Sequence, residues 1–195
     1  MRVPRLTREE PSRGPGCAPE PPGGFLYCAE FISADEEASL LSEVRSLAFS
    51  GIRMRGQVAR RRTTHFGWLY GYESGRVEPG PSVPEFLAPL RGRAGALAGV
   101  AAATLEEVLV TEYPPGAGIG WHRDAPAFEQ VIGVSLLGAC RFRFARGAGA
   151  AREACSFALE ARSAYVLSGP ARWQWQHSIP PTKSARYSIT FRAVR

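Results

Sequence analysis

Apolar positions change their period partway along the chain. Leu40, Leu41, Val44 and Leu47 recur at the three- and four-residue spacing of a helix that buries one face. Ser33 precedes this run with Glu36 three residues on, the reciprocal pair of a capping box, and Asp35 adds negative charge at the positive helix end. The pattern predicts a helix from Ser33 that ends near Phe49-Ser50-Gly51. A second helix is predicted from Pro84 through Phe86, Leu87, Leu90, Ala94, Leu97 and Ala98, against the helix-weakening Pro89, Gly92, Gly95 and Gly99. From Glu106 the period shortens. β-Branched and aromatic runs at residues 108–113, 131–137, 140–145, 156–159, 163–167, 172–179 and 186–193 alternate with Gly and Pro turns. Helices first and strands afterwards argue against an alternating βαβ sheet. They predict a mainly β domain of the α+β class, an antiparallel sandwich or barrel with flanking helices on one side.

Composition adds boundaries. Residues 1–24 carry six prolines and almost no large apolar side chains, which predicts a disordered N-terminal arm before a folded domain at 25–195. A chain of 195 residues with 45% hydrophobic side chains has the size and core of one globular domain, expected as a monomer. No secretory signal is read at the start, and the most apolar run, 95–105, falls short of the roughly 20 residues of a membrane span. Cys17, Cys28, Cys140 and Cys155 form no CxxC pair, so neither a zinc finger nor a disulfide framework is indicated, and a cytoplasmic location is expected. Cys140 and Cys155 read as small buried residues. The net charge of +6 suits a polyanionic partner. Of the 24 basic residues all but Lys183 are Arg, a bias that genome base composition also explains.

Candidate chemistry lies in the β region. On an extended segment His122 and Asp124 share a face, and His177 ends the aromatic run 172–177. Two imidazoles and a carboxylate are the facial ligand set that holds Fe(II) with positions left open. The same set suits a zinc hydrolase, and a surface His–Asp hydrogen bond is the plain alternative. In the last run Arg186, Ser188, Thr190 and Arg192 alternate with Tyr187, Ile189 and Phe191. If the arginine face pointed inward it would need anions, and no Asp or Glu follows Glu160. A small dicarboxylate would serve, since Arg pairs bidentately with carboxylates. An edge strand with two solvated arginines is the alternative.

The joint pattern His122-x-Asp124, His177, Arg186-x5-Arg192 resembles the AlkB family of Fe(II)- and 2-oxoglutarate-dependent dioxygenases, over residues 25–195 and most closely from Val108 onward. The resemblance implies a double-stranded β-helix (jelly roll) braced by N-terminal helices. It implies Fe(II) on His122, Asp124 and His177, with 2-oxoglutarate and O2 as cosubstrates. Arg186 would take the distal carboxylate of 2-oxoglutarate, and Arg192 would lie near its other end or the substrate. Tyr113 matches a tyrosine that hydrogen-bonds the cosubstrate, and Ser188 holds a place often filled by Asn.

Residues 61–70 resemble the family's nucleotide-recognition lid, expected over 52–74. Arg45, Arg53, Arg55, Arg60, Arg61 and Arg62 crowd this region, and arginines beside aromatics suit nucleic acid. Trp68, with Tyr70 and Arg62, is expected to face the substrate; the alternative makes Phe66, Trp68 and Tyr70 one face of an ordinary strand. His65 is read as structural or substrate-adjacent. There are departures. Thr111 stands where base-repair members usually carry Asn, and Pro126 where they often carry an acid. Residues 127–129 look closer to the branch acting on tRNA wobble uridines.

The leading expectation is oxidative demethylation of N-alkylated bases in DNA or RNA, releasing formaldehyde, succinate and CO2. The same chemistry on tRNA bases, as hydroxylation, or on methylated protein side chains is the second. A non-catalytic nucleic-acid-binding module is the third.

Overall fold

The computed structural model describes residues 20–54, 57–71 and 74–195; of the side chains, those at 52–58 lie outside this description. Its elements in chain order are β1 (Phe25–Cys28), α1 (Ala34–Arg45), β2 (Ser50–Met54), β3 (Gln57–Tyr70), β4 (Val77–Pro79), α2 (Ala88–Ala98), β5 (Glu107–Tyr113), β6 (Ile119–His122), β7 (Phe128–Leu136), β8 (Cys140–Arg146), β9 (Glu153–Leu159), β10 (Ala164–Leu167), α3 (Gly169–Trp173), β11 (Gln176–Ile179) and β12 (Arg186–Val194). The strands form two antiparallel sheets. The larger runs β1-β10-β7-β12-β5-β3-β2, with β4 added to β3; the smaller runs β6-β11-β8-β9. This is the jelly-roll arrangement with α1 and α2 ahead of most of its strands.

Two cores hold the layers together. Leu40, Leu41 and Val44 of α1 and Leu90 and Ala94 of α2 pack with Val108, Val110, Ile132, Ile189 and Phe191 of the larger sheet. Between the sheets, Phe142, Phe144, Phe157, Tyr165 and Trp175 form a second, aromatic core. Cys140 and Cys155 are buried there, as small residues. Each fully buried large side chain contributes roughly 2–3 kcal/mol before conformational entropy is counted.

Local chemistry explains the helix ends. Ser33 Oγ accepts from Glu36 N while Glu36 accepts from Ser33 N, and the helix stops at Ser46, earlier than the sequence suggests, because Ser50 begins a strand. In α2 Pro89 is tolerated in the first turn and Gly99 adopts a left-handed cap at φ 71°. One predicted strand is different: residues 172–179 start in α3, where Gly169 and Pro170 open a short helix after Ser168. Trp173 therefore closes a helix, and the strand starts only after Trp175, at Gln176. Residues 22–24, expected in the arm, are tied down: the Gly23 and Gly24 carbonyls accept from Ala171 N and Ser168 N. Residues 1–19 of that arm, and residues 55, 56, 72 and 73 of the expected lid, lie outside the described residues.

β12 is central, not an edge. It pairs with β5 on one side and β7 on the other. Tyr187, Ile189 and Phe191 face the helices. Arg186, Ser188 and Thr190 face the space between the sheets and are buried. The solvated-arginine alternative is thereby overturned.

The capping box yields a stability prediction. Ser33→Ala should lower the unfolding free energy by about 1 kcal/mol in chemical denaturation. The Ser33 backbone N–H, with Arg93 adding to it against the opposing effect of burial, holds the Glu36 carboxyl below its ordinary value. A depressed carboxylate stabilises above the ordinary carboxylate range and loses that contribution as pH falls through its lowered value. Wild type and Glu36→Gln should therefore differ near neutrality and converge in acid.

Candidate metal centre and cosubstrate pocket

The candidate ligands meet because two short strands pair. β11 lies antiparallel to β6 with His177 directly opposite His122, and their ring centroids are 4.3 Å apart. His177 Nε2 lies 3.5 Å from Asp124 Oδ2. His122 Nδ1 lies 2.9 Å from the Gly120 carbonyl, so its N–H donates there and Nε2 keeps a free lone pair. Asp124 Oδ1 accepts from Arg192 Nε and Nη2 at 3.0 and 2.8 Å, while Oδ2 is buried and has no hydrogen-bond partner among the described residues.

Electrostatics set the protonation. Burial pushes the His177 imidazole down to about 3, against the pull of Asp124, and burial likewise lowers His122. Burial would raise the Asp124 carboxyl. Arg192, then His177, His122 and Arg172, outweigh it and hold the group well below the usual carboxylate range. Two neutral imidazoles and an ionised carboxylate are the forms a metal needs. Among the described residues no group of three His, Cys, Asp or Glu side chains stands ready to hold a metal ion. A buried, unpartnered carboxylate oxygen beside two neutral imidazoles nevertheless fits a divalent cation, and this donor set suits Fe(II).

Arg192 is not left to find an external anion. Its Nη1 donates to both oxygens of Glu107 at 3.0 and 2.9 Å, and its ring-facing neighbour is Phe128. Glu107 is only 1% exposed and also meets His65 Nδ1 at 3.3 Å. The acids that neutralise Arg192 come from β5 and from the loop after β6, so the need for an external anion falls on only one arginine of the pair.

That arginine is Arg186. It is 1% exposed, and its Nε donates to Ser135 Oγ at 3.0 Å. Its Nη1 is buried with no hydrogen-bond partner among the described residues. Its guanidinium lies 5.0 Å from the centre of the Tyr113 ring, whose phenol burial keeps protonated above its ordinary value. An unpartnered buried guanidinium edge is costly unless an anion fills it. Beside it Thr63, Thr111, Ser188 and Ser135 stand in one register across β3, β5, β12 and β7, all buried. This row of hydroxyls runs alongside Arg186 on the face that leads toward Arg192 and Asp124. It suits a small, polar dicarboxylate.

The expected substrate residues are scattered. Gly67 takes φ 77° with the Glu106 carbonyl where a side chain would stand, so only glycine fits there, and it breaks the alternation of β3. Phe66 before it packs with the helices. Tyr70 beyond it packs edge-on to Phe128 at 6.2 Å, on the side of the metal ligands. Phe66, Trp68 and Tyr70 are thus not one face of an ordinary strand. Trp68 Nε1 donates to Glu106 at 3.3 Å. Arg62 pairs with Glu112, which also accepts from the Tyr187 hydroxyl, so Arg62 lies on the helix-facing side away from the ligands. Its neighbour Arg61 faces inward and donates to the Gly118 carbonyl at 3.4 Å.

Three residues of the site carried little sequence signal. Arg172 donates to the carbonyls of Ala125 and Phe128 at 2.6 and 2.7 Å and so fixes the turn that follows Asp124. Glu107 shares the alternating face of Thr111 and Tyr113, a pattern that marks it as inward. Tyr165 lies flat across Gly133, where any Cβ would collide with its ring. Burial and then the charge of Asp124 raise its phenol, leaving a neutral donor over the same pocket.

Two substitutions test this geometry. Arg186→Gln should weaken 2-oxoglutarate binding about 100-fold, the loss of about 3 kcal/mol in charge-assisted hydrogen bonding, measured by calorimetric titration of the iron-loaded protein. Gly133→Ala should displace the Tyr165 ring, with about 1–3 kcal/mol lost in thermal or denaturant unfolding from overpacking.

Comparison with known proteins agrees with this chemistry. The family described as the 2OG-Fe(II) oxygenase superfamily matches residues 24–192. An Arabidopsis thaliana protein named alkylated DNA repair protein ALKBH8 homolog is 30% identical over 89% of this chain and 59% of its own length. The Mus musculus tRNA (carboxymethyluridine(34)-5-O)-methyltransferase ALKBH8 is 31% identical over 83% of this chain and 25% of its own. The chain thus spans between a quarter and three-fifths of these two curated relatives. Among solved structures, OsALKBH1 superposes with a TM-score of 0.70 at 15% identity, covering 91% of this chain and 99% of that one. A Pseudomonas putida prolyl-4-hydroxylase superposes at 0.60 with 19% identity over 88% and 93%. These likenesses share the jelly-roll fold described above. The chain belongs to the 2OG-Fe(II) oxygenase superfamily, as an AlkB-like oxidoreductase.

Proposed function

We propose that the enzyme oxidises a substituent on a base in RNA, with a modified tRNA uridine as the favoured substrate. The observation that carries this reading is its likeness to relatives named ALKBH8, one of them named for carboxymethyluridine at position 34. The methyltransferase named there belongs to a protein of which this chain matches a quarter, so methyl transfer is not carried over. Exposed Pro126 supports the choice, because the position offers no carboxylate to an exocyclic amine. N-demethylation of an alkylated base in DNA or RNA is the second reading. A zebrafish relative named probable RNA/DNA demethylase ALKBH6, 30% identical over 61% of this chain, favours it.

His122, Asp124 and His177 would hold the iron, and Arg186 with the hydroxyl row would hold 2-oxoglutarate. Bound together with O2, iron and 2-oxoglutarate supply the oxidation: the cosubstrate leaves as succinate and CO2, and one oxygen atom goes to a substrate C–H bond. The chain positions and encloses. Arg192 fixes the orientation of Asp124, and Arg172 holds the turn behind it. Phe142 packs 5.3 Å from the His177 ring and, with Tyr165, keeps water from the inner side. Tyr70 and Phe128 would border the base.

Purified protein loaded with Fe(II) and 2-oxoglutarate should produce succinate faster when total tRNA is added. Mass spectrometry of the digested tRNA should show a uridine derivative gaining one oxygen atom, without matching formaldehyde. Stoichiometric formaldehyde from a methylated oligonucleotide, with tRNA unchanged, would replace the first reading by the second. His122→Ala should abolish succinate formation in either case.

A further inference from the structure

The outer face of the smaller sheet carries charge that the site inside does not use. β6 alternates, so His122 points inward while Trp121 points out, and exposed Arg123 follows just past the strand. Trp121 is 36% exposed, an unusual state for the largest apolar side chain. The guanidinium carbons of Arg143 on β8 and Arg152 just before β9 lie 4.9 and 5.3 Å from its ring centroid. Arg143 is further held by Nε donation to Ser178 Oγ at 3.0 Å. Arg141, two residues earlier on β8, shares that outward face and is exposed.

Around these groups the face is low. Ser178, Ser156, Ala154 and Ala158 are the outward residues on the neighbouring strands, by their register with Arg143, Ala145 and Arg141. No carboxylate among the described residues pairs with Arg141, Arg143 or Arg152. Glu153, the acid beside them, is committed to Arg146 at 2.9 and 2.8 Å. Like charges gathered without acids repel one another. Stacking on the indole offsets this and fixes two guanidiniums in place while their N–H edges remain free to bind oxyanions. β6 is also the edge strand of its sheet, so this face and the metal ligands meet around a single strand.

We propose that this face binds the phosphate backbone of a single-stranded nucleic acid and leads the strand around β6 to the metal site. The proposal rests on the nucleic-acid reading above and adds where the chain outside the target base lies. A flat face with projecting arginines fits an extended strand, since phosphate contacts need no groove and an arginine fork matches phosphate oxygens.

The test is fluorescence anisotropy of a labelled single-stranded RNA, with the same DNA sequence in parallel, across a salt series. R141Q/R143Q/R152Q should bind about tenfold more weakly, and the slope of log affinity against log salt should shrink by about 2, the loss of three phosphate contacts. Its unstimulated conversion of 2-oxoglutarate to succinate should match wild type. RNA should also change the indole emission of wild type, and that change should be absent from Trp121→Phe, a variant that preserves ring packing. Equal affinity and slope in wild type and triple variant, or the same emission change in Trp121→Phe, overturns this surface and leaves the nucleic-acid reading standing. A wild type that binds neither RNA nor DNA overturns both. Tighter binding of polyglutamate than of RNA, lost in the triple variant, assigns the face to an acidic protein and overturns the nucleic-acid assignment.

Discussion

Two guanidinium groups inside the protein set the terms for everything around them. β12 runs through the middle of the larger sheet and turns Arg186 and Arg192 into the space between the sheets. A charge taken out of water costs several kcal/mol unless it is paired and hydrogen-bonded. The two arginines meet that requirement differently. Arg192 is neutralised by the chain itself, through Glu107 and Asp124. Arg186 has a hydroxyl and an aromatic face but no carboxylate, and part of its guanidinium has no hydrogen-bond partner among the described residues. The first arginine is therefore a fixture, and the second is the one with hydrogen-bonding capacity to spare for an anion.

This division organises the metal site as well. Arg192 binds one oxygen of Asp124 and leaves the other bare, so it both fixes the carboxylate and keeps it ionised. The neighbouring imidazoles are neutral because they are buried, which removes competition from protons near neutrality. Arg172 adds a second positive group and immobilises the backbone from Ala125 to Phe128. The protein has in effect surrounded one carboxylate with cations. A dipositive ion enters such a site only through donors already in their binding form, which is the state the structure holds.

What was legible in the sequence was whatever depends on near neighbours. The Ser33–Glu36 box, the helical spacing of Leu40, Leu41 and Val44 and the alternation of 186–192 involve residues a few positions apart, and they appear in the structure. The pairing of His122 with Asp124 was local too. Partners of Arg192 were not, because Asp124 and Glu107 stand 68 and 85 residues away and meet it only through strand order. The inwardness of β12 was equally undecidable locally, since an alternating strand looks the same at an edge and in the centre. Two local signals were weaker than they looked. Alternation failed at Gly67, whose backbone turns Tyr70 to the opposite side from Phe66, and it failed at 172–175, where a Gly-Pro start made a helix. Arg62 was grouped with its neighbours by charge, yet only the parity of the strand decides that Arg61 faces inward and Arg62 pairs with Glu112.

Parity also explains how one short strand serves two environments. β6 has four residues at the edge of its sheet, so its inward and outward side chains meet different surroundings. Inward, His122 is half-buried, neutral and held by a carbonyl two residues earlier. Outward, Trp121 must remain in solvent, a position where an indole gains little from burial and can be retained only by what it touches. Here it touches two arginines, and one of them reaches back to Ser178, next to the second imidazole ligand. The outer arginines are thus mechanically joined to both strands that bear the candidate metal ligands, and any anion bound to them is held against the backbone that positions His122 and His177.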